Sequence, residues 1–227
     1  MKRRYLKTAL AAMFLPILLT SCEVFGLDFQ DSYDFDYEIG MPSNKIDMSA
    51  YDFIKSRTDI FTLLAEAIDY AEVADEYRLA NMTYLLPTDA AFTDEDDGYF
   101  AHHQFSYIDE LTGDTVSYAP ITMTAYPKEE VKEFLLYHIV KGPYTFTNLP
   151  AEPTWFETEA VADTAKVNMY LLKDRNPNIT FNDFEGHYLN EIKPRTSNLF
   201  NSDGSYMHVL DNWLDRPTRE QLTGFEE

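Results

Sequence analysis

The 227 residues predict an α+β fold, and three observations carry that prediction. Apolar positions recur at helical spacing between Ser49 and Ala71, and again between Pro127 and Val140. Beyond Gly142-Pro143 the chain turns into short runs of β-forming residues separated by Pro, Asn and Gly. Between these regions "TYLLPTDAAF", Thr83 to Phe92, passes from strand to helix with no loop. Helices followed by strands, at about 170 residues, make one α+β domain with a real core. No period of about 20–50 residues recurs, which excludes a repeat array.

Each element has a local reason. Ser49 with Asp52 three residues later has capping-box spacing, and two or three short helices follow as far as Arg78. Thr83 to Leu86 reads as a buried strand. Pro87 has no N–H for the ladder, so the strand ends there. Thr88 or Asp89 then caps the next helix, and Phe92 enters the core. Residues 93–126 hold "QFSYIDELTGDTVSYAPIT", which predicts a hairpin turning at Thr112-Gly113. "YPKEEVKEFLLYHIV" is a helix with Pro127 near its first position and Glu129 and Glu130 in its first turn. Val131, Phe134, Leu135 and His138 share its inward face. The runs "YTFTNL", "WFETEA", "KVNMYLLKD", "NITFNDF" and "SYMHVLDNWL" are the expected strands.

The N-terminus bounds the compartment. Lys2, Arg3, Arg4 and Lys7 precede "ALAAMFLPILL", an apolar run of eleven residues interrupted by a proline. A permanent span needs about 20 residues, so residues 1–21 read as a signal peptide. The run ends in "LTSC", which resembles the lipobox of bacterial lipoproteins and makes Cys22 the lipidated residue. Cys22 is also the chain's one cysteine, so neither an internal disulfide nor another thiol nucleophile is available. Residues 22–46 form an acidic tether, read either as a spacer or as a surface-export signal. The domain is expected over 47–215 and a tail over 216–227. Removing residues 1–21 takes away four basic residues and no acid, moving the net charge from −21 to −25. Such a surface repels phosphate backbones, so nucleic acid is excluded as a partner.

Three stretches in order resemble the fasciclin-like domain family. "TYLLPTDAAF" is similar to the family's first box and "LLYHIVKGPYTFTNL" to its central Tyr-His segment. "NSDGSYMHVLDNWL" is similar to its second box. The resemblance implies short N-terminal helices packed on a β-sandwich or wedge of short strands. It implies family-motif positions at Thr88, Asp89, Phe92, Tyr137, His138, His208 and Asp211, read here as structural. The Tyr137-His138 pair is linked to adhesion through the same resemblance. Residues 93–126 depart from the family pattern and form an insertion.

Nothing in the sequence singles out a catalytic group. G-x-S-x-G, H-E-x-x-H and phosphate-cradling loops do not occur. His102 and His103 are adjacent and, on a strand, point apart. "DEDDG", Asp94 to Gly98, lacks the ligand spacing of an EF-hand loop. The expectation is a non-enzymatic module that needs neither cofactor nor metal. It is held to a membrane by its lipid anchor and binds a protein or glycan of the cell envelope. The alternative is a structural accessory of an outer-membrane polysaccharide-uptake complex.

Overall fold

The computed structural model describes residues 44–173 and 177–223. The expected signal peptide, Cys22 and the tether up to residue 43 lie outside the described residues. Helix α1 (Ala50–Ser56) begins where Ser49 accepts a hydrogen bond from the Asp52 N–H at 3.1 Å. Helix α2 (Thr62–Ala71) and a 3-10 turn (Glu76–Arg78) complete the N-terminal helical layer. Leu64, Ala67, Ile68 and Ala71 of α2 are buried, the one-faced pattern that the spacing predicts. No helix among the described residues is long and apolar enough to cross a membrane.

Strand β1 (Met82–Pro87) lies at the centre of the larger sheet and is buried at every position. It pairs in parallel with β9 (Tyr206–Leu210) and antiparallel with β4 (Ile139–Lys141). Strand β8 (Thr196–Phe200) closes the other side, giving the order β4-β1-β9-β8. A second, antiparallel sheet is built from β5 (Thr154–Glu157), β6 (Lys166–Leu172) and β7 (Asn178–Phe181). Directly after β1 come α3 (Asp89–Thr93) and α4 (Tyr99–His102), then the ribbon β2 (Phe105–Ile108) and β3 (Thr115–Tyr118). Helix α5 (Lys128–Tyr137) starts after Pro127 and runs into β4. The short helix α6 (Arg219–Thr223) follows β9.

Several expectations need correction. "YTFTNL" is a turn, not a strand. Asn148 accepts from the Thr145 N–H at 2.7 Å and donates to Pro143 O at 2.6 Å, a local alternative to ladder pairing. The ribbon turns through Asp109–Asp114, where the Asp109 carboxylate accepts from the N–H groups of Leu111 and Thr112. Gly113 takes the positive φ of +76° in that loop. His102 and His103 end a helix and are not on a strand. Residues 44–46, placed in the tether by sequence, lie along β8, with the Ile46 N–H donating to Phe200 O at 2.8 Å. The tail is also engaged in part: Gln221 donates to Glu185 O at 2.8 Å.

Candidate functional site

The strand-to-helix joint places the first three motif residues. Past Pro87, the Thr88 N–H donates to Leu210 O at 2.8 Å, which extends the β1–β9 pairing by one step. The Thr88 hydroxyl donates to the Asp211 carboxylate, also at 2.8 Å. Thr88 occupies the N-cap position of α3 but makes no side-chain cap bond. Asp89 does not cap α3 either. Its carboxylate accepts from the N–H groups of Leu63 at 2.8 Å and Thr62 at 3.2 Å, so it caps α2 from across the fold. The reason lies in α2 itself: its N-cap residue is Phe61, which has no side-chain acceptor, and the helix start draws one from elsewhere. Asp89→Ala is expected to cost about 0.5–2 kcal/mol, with Asp89→Asn milder because one acceptor remains. Urea unfolding checks this; equal stability of all three proteins would refute the cross-fold cap.

Tyr137 and His138 together clamp the chain that follows β9. His138 is fully buried, and the Leu214 N–H donates to its Nε2 at 3.2 Å. That donor leaves the proton on Nδ1, which donates to Phe134 O at 2.8 Å. The Tyr137 hydroxyl lies 3.1 Å from Asp215 O and 3.0 Å from Lys166 O, and it accepts from the Asn182 amide at 3.1 Å. Asn182 donates to Asp215 O as well, at 2.8 Å. His187 completes the clamp by accepting from the Asp215 N–H at 3.1 Å. Neither Asn182 nor His187 stood out in the sequence. The available signal for Asn182 was "FND" directly after a strand, where Asn tolerates the φ of +47° that it adopts.

His208 plays the same part inside the larger sheet. The Asn198 N–H donates to its Nδ1 at 3.3 Å, and its Nε2–H donates to Tyr144 O at 3.1 Å. Burial pushes both His138 and His208 down to about 4, and pushes His187 down as well. These rings are neutral at pH 7, and each spends its one acceptor nitrogen on a backbone amide. No lone pair is left for a proton transfer or a metal ion. Burial likewise raises the Tyr137 hydroxyl far above its ordinary value.

The structure therefore joins Thr88 to Asp211, and Tyr137 to His138, but does not assemble the seven motif residues into one constellation. Phe92 lies in the core against Phe100 at 5.9 Å and Phe134 at 6.0 Å. His103 stacks on Tyr99 at 4.0 Å, while His102 packs 5.7 Å from Trp213. The Asp94 carboxylate is occupied by the N–H groups of Asp96 and Asp97, which hold it below the usual carboxylate range. Among the described residues, no group of three or more His, Cys, Asp or Glu is placed to hold a metal ion.

Comparison with known proteins adds to this geometry. No curated protein matches the chain. Among solved structures, it is similar to a FAS1 domain pair from the insect cell adhesion molecule fasciclin I, with a TM-score of 0.50 and 14% identity. The likeness covers 74% of this chain and 51% of that one, so it spans about half of the domain pair. It shows the fold alone. A family model for the fasciclin domain matches residues 59–216, and the chain belongs to the fasciclin domain family.

Proposed function

We propose that the protein is a lipid-anchored extracytoplasmic binding module that recognises a protein or glycan at the cell envelope. The family match over 59–216 carries this reading, because the fasciclin domain is an adhesion-type module. The geometry agrees with it. The motif side chains are committed to internal bonds and packing, which leaves recognition to the exterior. Asp89, Tyr137, His138 and His208 hold backbone, Thr88 bonds Asp211, and Phe92 fills the core. Anchoring rests on "LTSC" and the lone Cys22. Two buried acyl chains are enough to hold a protein stably on a membrane.

Two measurements test the proposal. Labelled fatty acid should enter the wild-type protein and not Cys22→Ser; incorporation by the variant would remove the anchor from the reading. The soluble Cys22→Ser protein, coated on beads, should bind isolated envelopes or a glycan array saturably. Absence of saturable binding to both would overturn the module reading.

A further inference from the structure

The β2–β3 ribbon is a sheet of only two strands, and among the described residues neither strand pairs with a third. Its register sets Phe105 opposite Tyr118 and Tyr107 opposite Val116, so these four side chains share one face. Ser106, Ile108, Thr115 and Ser117 lie on the other face. The inner end of the aromatic face meets the body of the domain through Phe105, at 5.1 Å from Tyr126. Tyr118 stands opposite Phe105 and Tyr107 two residues farther towards the tip; their rings sit 6.2 Å apart, and they are 51% and 53% exposed. Leu111 at the tip is 93% exposed. A lone two-stranded ribbon is marginal in water and gains its stability from a further strand or a packed surface. Among the described residues, the outer half of this one has neither.

The charge around the ribbon selects what can cover it. Residues 93–122 carry seven carboxylates (Asp94, Glu95, Asp96, Asp97, Asp109, Glu110, Asp114) and no Lys or Arg. Among the described residues none of the seven forms an ion pair. The same combination recurs at the foot of the ribbon. There a cleft of about 310 Å³ with Phe100, Pro120 and Ile121 in its wall includes Asp94 and Glu95 in its lining. A second copy of this chain would bring acids against acids, and an anionic lipid surface would be repelled in the same way. Lys and Arg side chains suit the surface: their stems lie on tyrosine faces while their heads meet carboxylates.

We propose that the outer face formed by Tyr107, Val116 and Tyr118 is completed by a basic, strand-forming segment of a partner protein. Lys or Arg side chains of that segment meet Asp109, Glu110 and Asp114. This rests on the reading of the chain as a binding module and names the chemistry of one partner. Open strand edges allow the segment to add main-chain hydrogen bonds to the side-chain contacts.

Isotope-labelled protein carrying Cys22→Ser is titrated with a synthetic peptide alternating lysine and valine, and separately with one alternating glutamate and valine. The lysine peptide should shift the amide signals of 105–108 and 115–118, with affinity falling about tenfold from low to high salt. The double variant Tyr107→Ser/Tyr118→Ser should weaken binding by about tenfold or more with an unchanged melting temperature. Absent shifts, shifts confined to other parts of the domain, or equal binding of the glutamate peptide would overturn the proposal. So would dimerisation in sedimentation that the double variant abolishes, which assigns the face to a second copy. Binding to zwitterionic vesicles that the double variant abolishes would assign it to lipid and overturn the proposal as well. If wild type and double variant adhere equally to envelopes, the ribbon is not the docking face and the module reading stands. If the peptide binds as expected but envelopes and glycans are not bound, the module reading falls alone.

Discussion

Lowering the pH from 7 to 4 is expected to remove roughly 6 kcal/mol of folding stability, through two histidines that touch no ligand. His138 and His208 are buried with both ring nitrogens bonded to backbone, and burial lowers each from 6.5 to about 4. Between those values the unfolded chain binds protons that the folded chain refuses. Stability therefore rises with pH through the window and is lost as pH falls from about 6.5 towards 4. At about 1.4 kcal/mol per unit, each histidine contributes roughly 3 kcal/mol. A domain of this size is stable by about 5–15 kcal/mol, so the loss is a large share of the total. His187 is lowered as well and adds to the same slope. The carboxylates of Asp59, Asp69 and Glu72 are held below their ordinary values, so their share is lost mainly at and below the acid end of the histidine window. Relief of the −21 net charge works in the opposite direction and sets in at the acid end of that window, as the carboxylates begin to titrate. Denaturant unfolding from pH 7.5 to 4.5 gives the slope, and His208→Gln should reduce it by about half. A flat profile would mean that the rings are not held neutral.

The sequence made the joints legible and left their partners hidden. Thr83 to Phe92 announced a strand running straight into a helix, because a proline and a hydrophobic anchor stand at fixed offsets along the chain, although the expected cap at Thr88 or Asp89 does not form. It gave no sign that Asp89 caps α2, since those bonds link residues 26 and 27 positions apart and depend on Phe61 lacking a side-chain acceptor. His138 was readable as a core residue from its helical phase. The peptide it holds, at Leu214, lies 76 residues away. "YTFTNL" has the composition of a strand, and Asn148 overrides it through two bonds to nearby backbone. Local pattern thus located the elements, while long-range side-chain-to-backbone bonds decided how they lock together. The insertion was legible as a hairpin by alternation. Its first part is not an appendage: Tyr99 and Phe100 are buried and belong to the core.

Phe92→Ala is expected to cost about 3–5 kcal/mol, because Phe92 is where the joint is fastened. Its side chain is fully buried in α3, one turn beyond Pro87. The ring packs edge-on against Tyr99 at 6.4 Å, and tilted against Phe100 at 5.9 Å and Phe134 at 6.0 Å. It thereby holds α4 and α5 to the end of the central strand. Truncation leaves a cavity bounded by three other aromatic rings, two of them on a helix of four residues that cannot persist by itself. The lost aromatic contacts add to the transfer and cavity costs. Phe92→Leu should cost roughly half as much, since it refills part of the volume. Tyr107→Ala, on the exposed half of the ribbon, should stay within about 0.5 kcal/mol of wild type. Urea unfolding of the three variants, followed by far-UV and near-UV circular dichroism, separates these cases. Near-UV signal should weaken in native Phe92→Ala, because the packing of Tyr99 loosens even while the sheets stay folded. If Phe92→Ala costs less than about 1 kcal/mol, or no more than Tyr107→Ala, the strand-to-helix joint is not what fixes the helices to the sheet. In that case the fastening passes to the Thr88–Asp211 bond beside it, and Thr88→Val becomes the variant that should unfold the domain first.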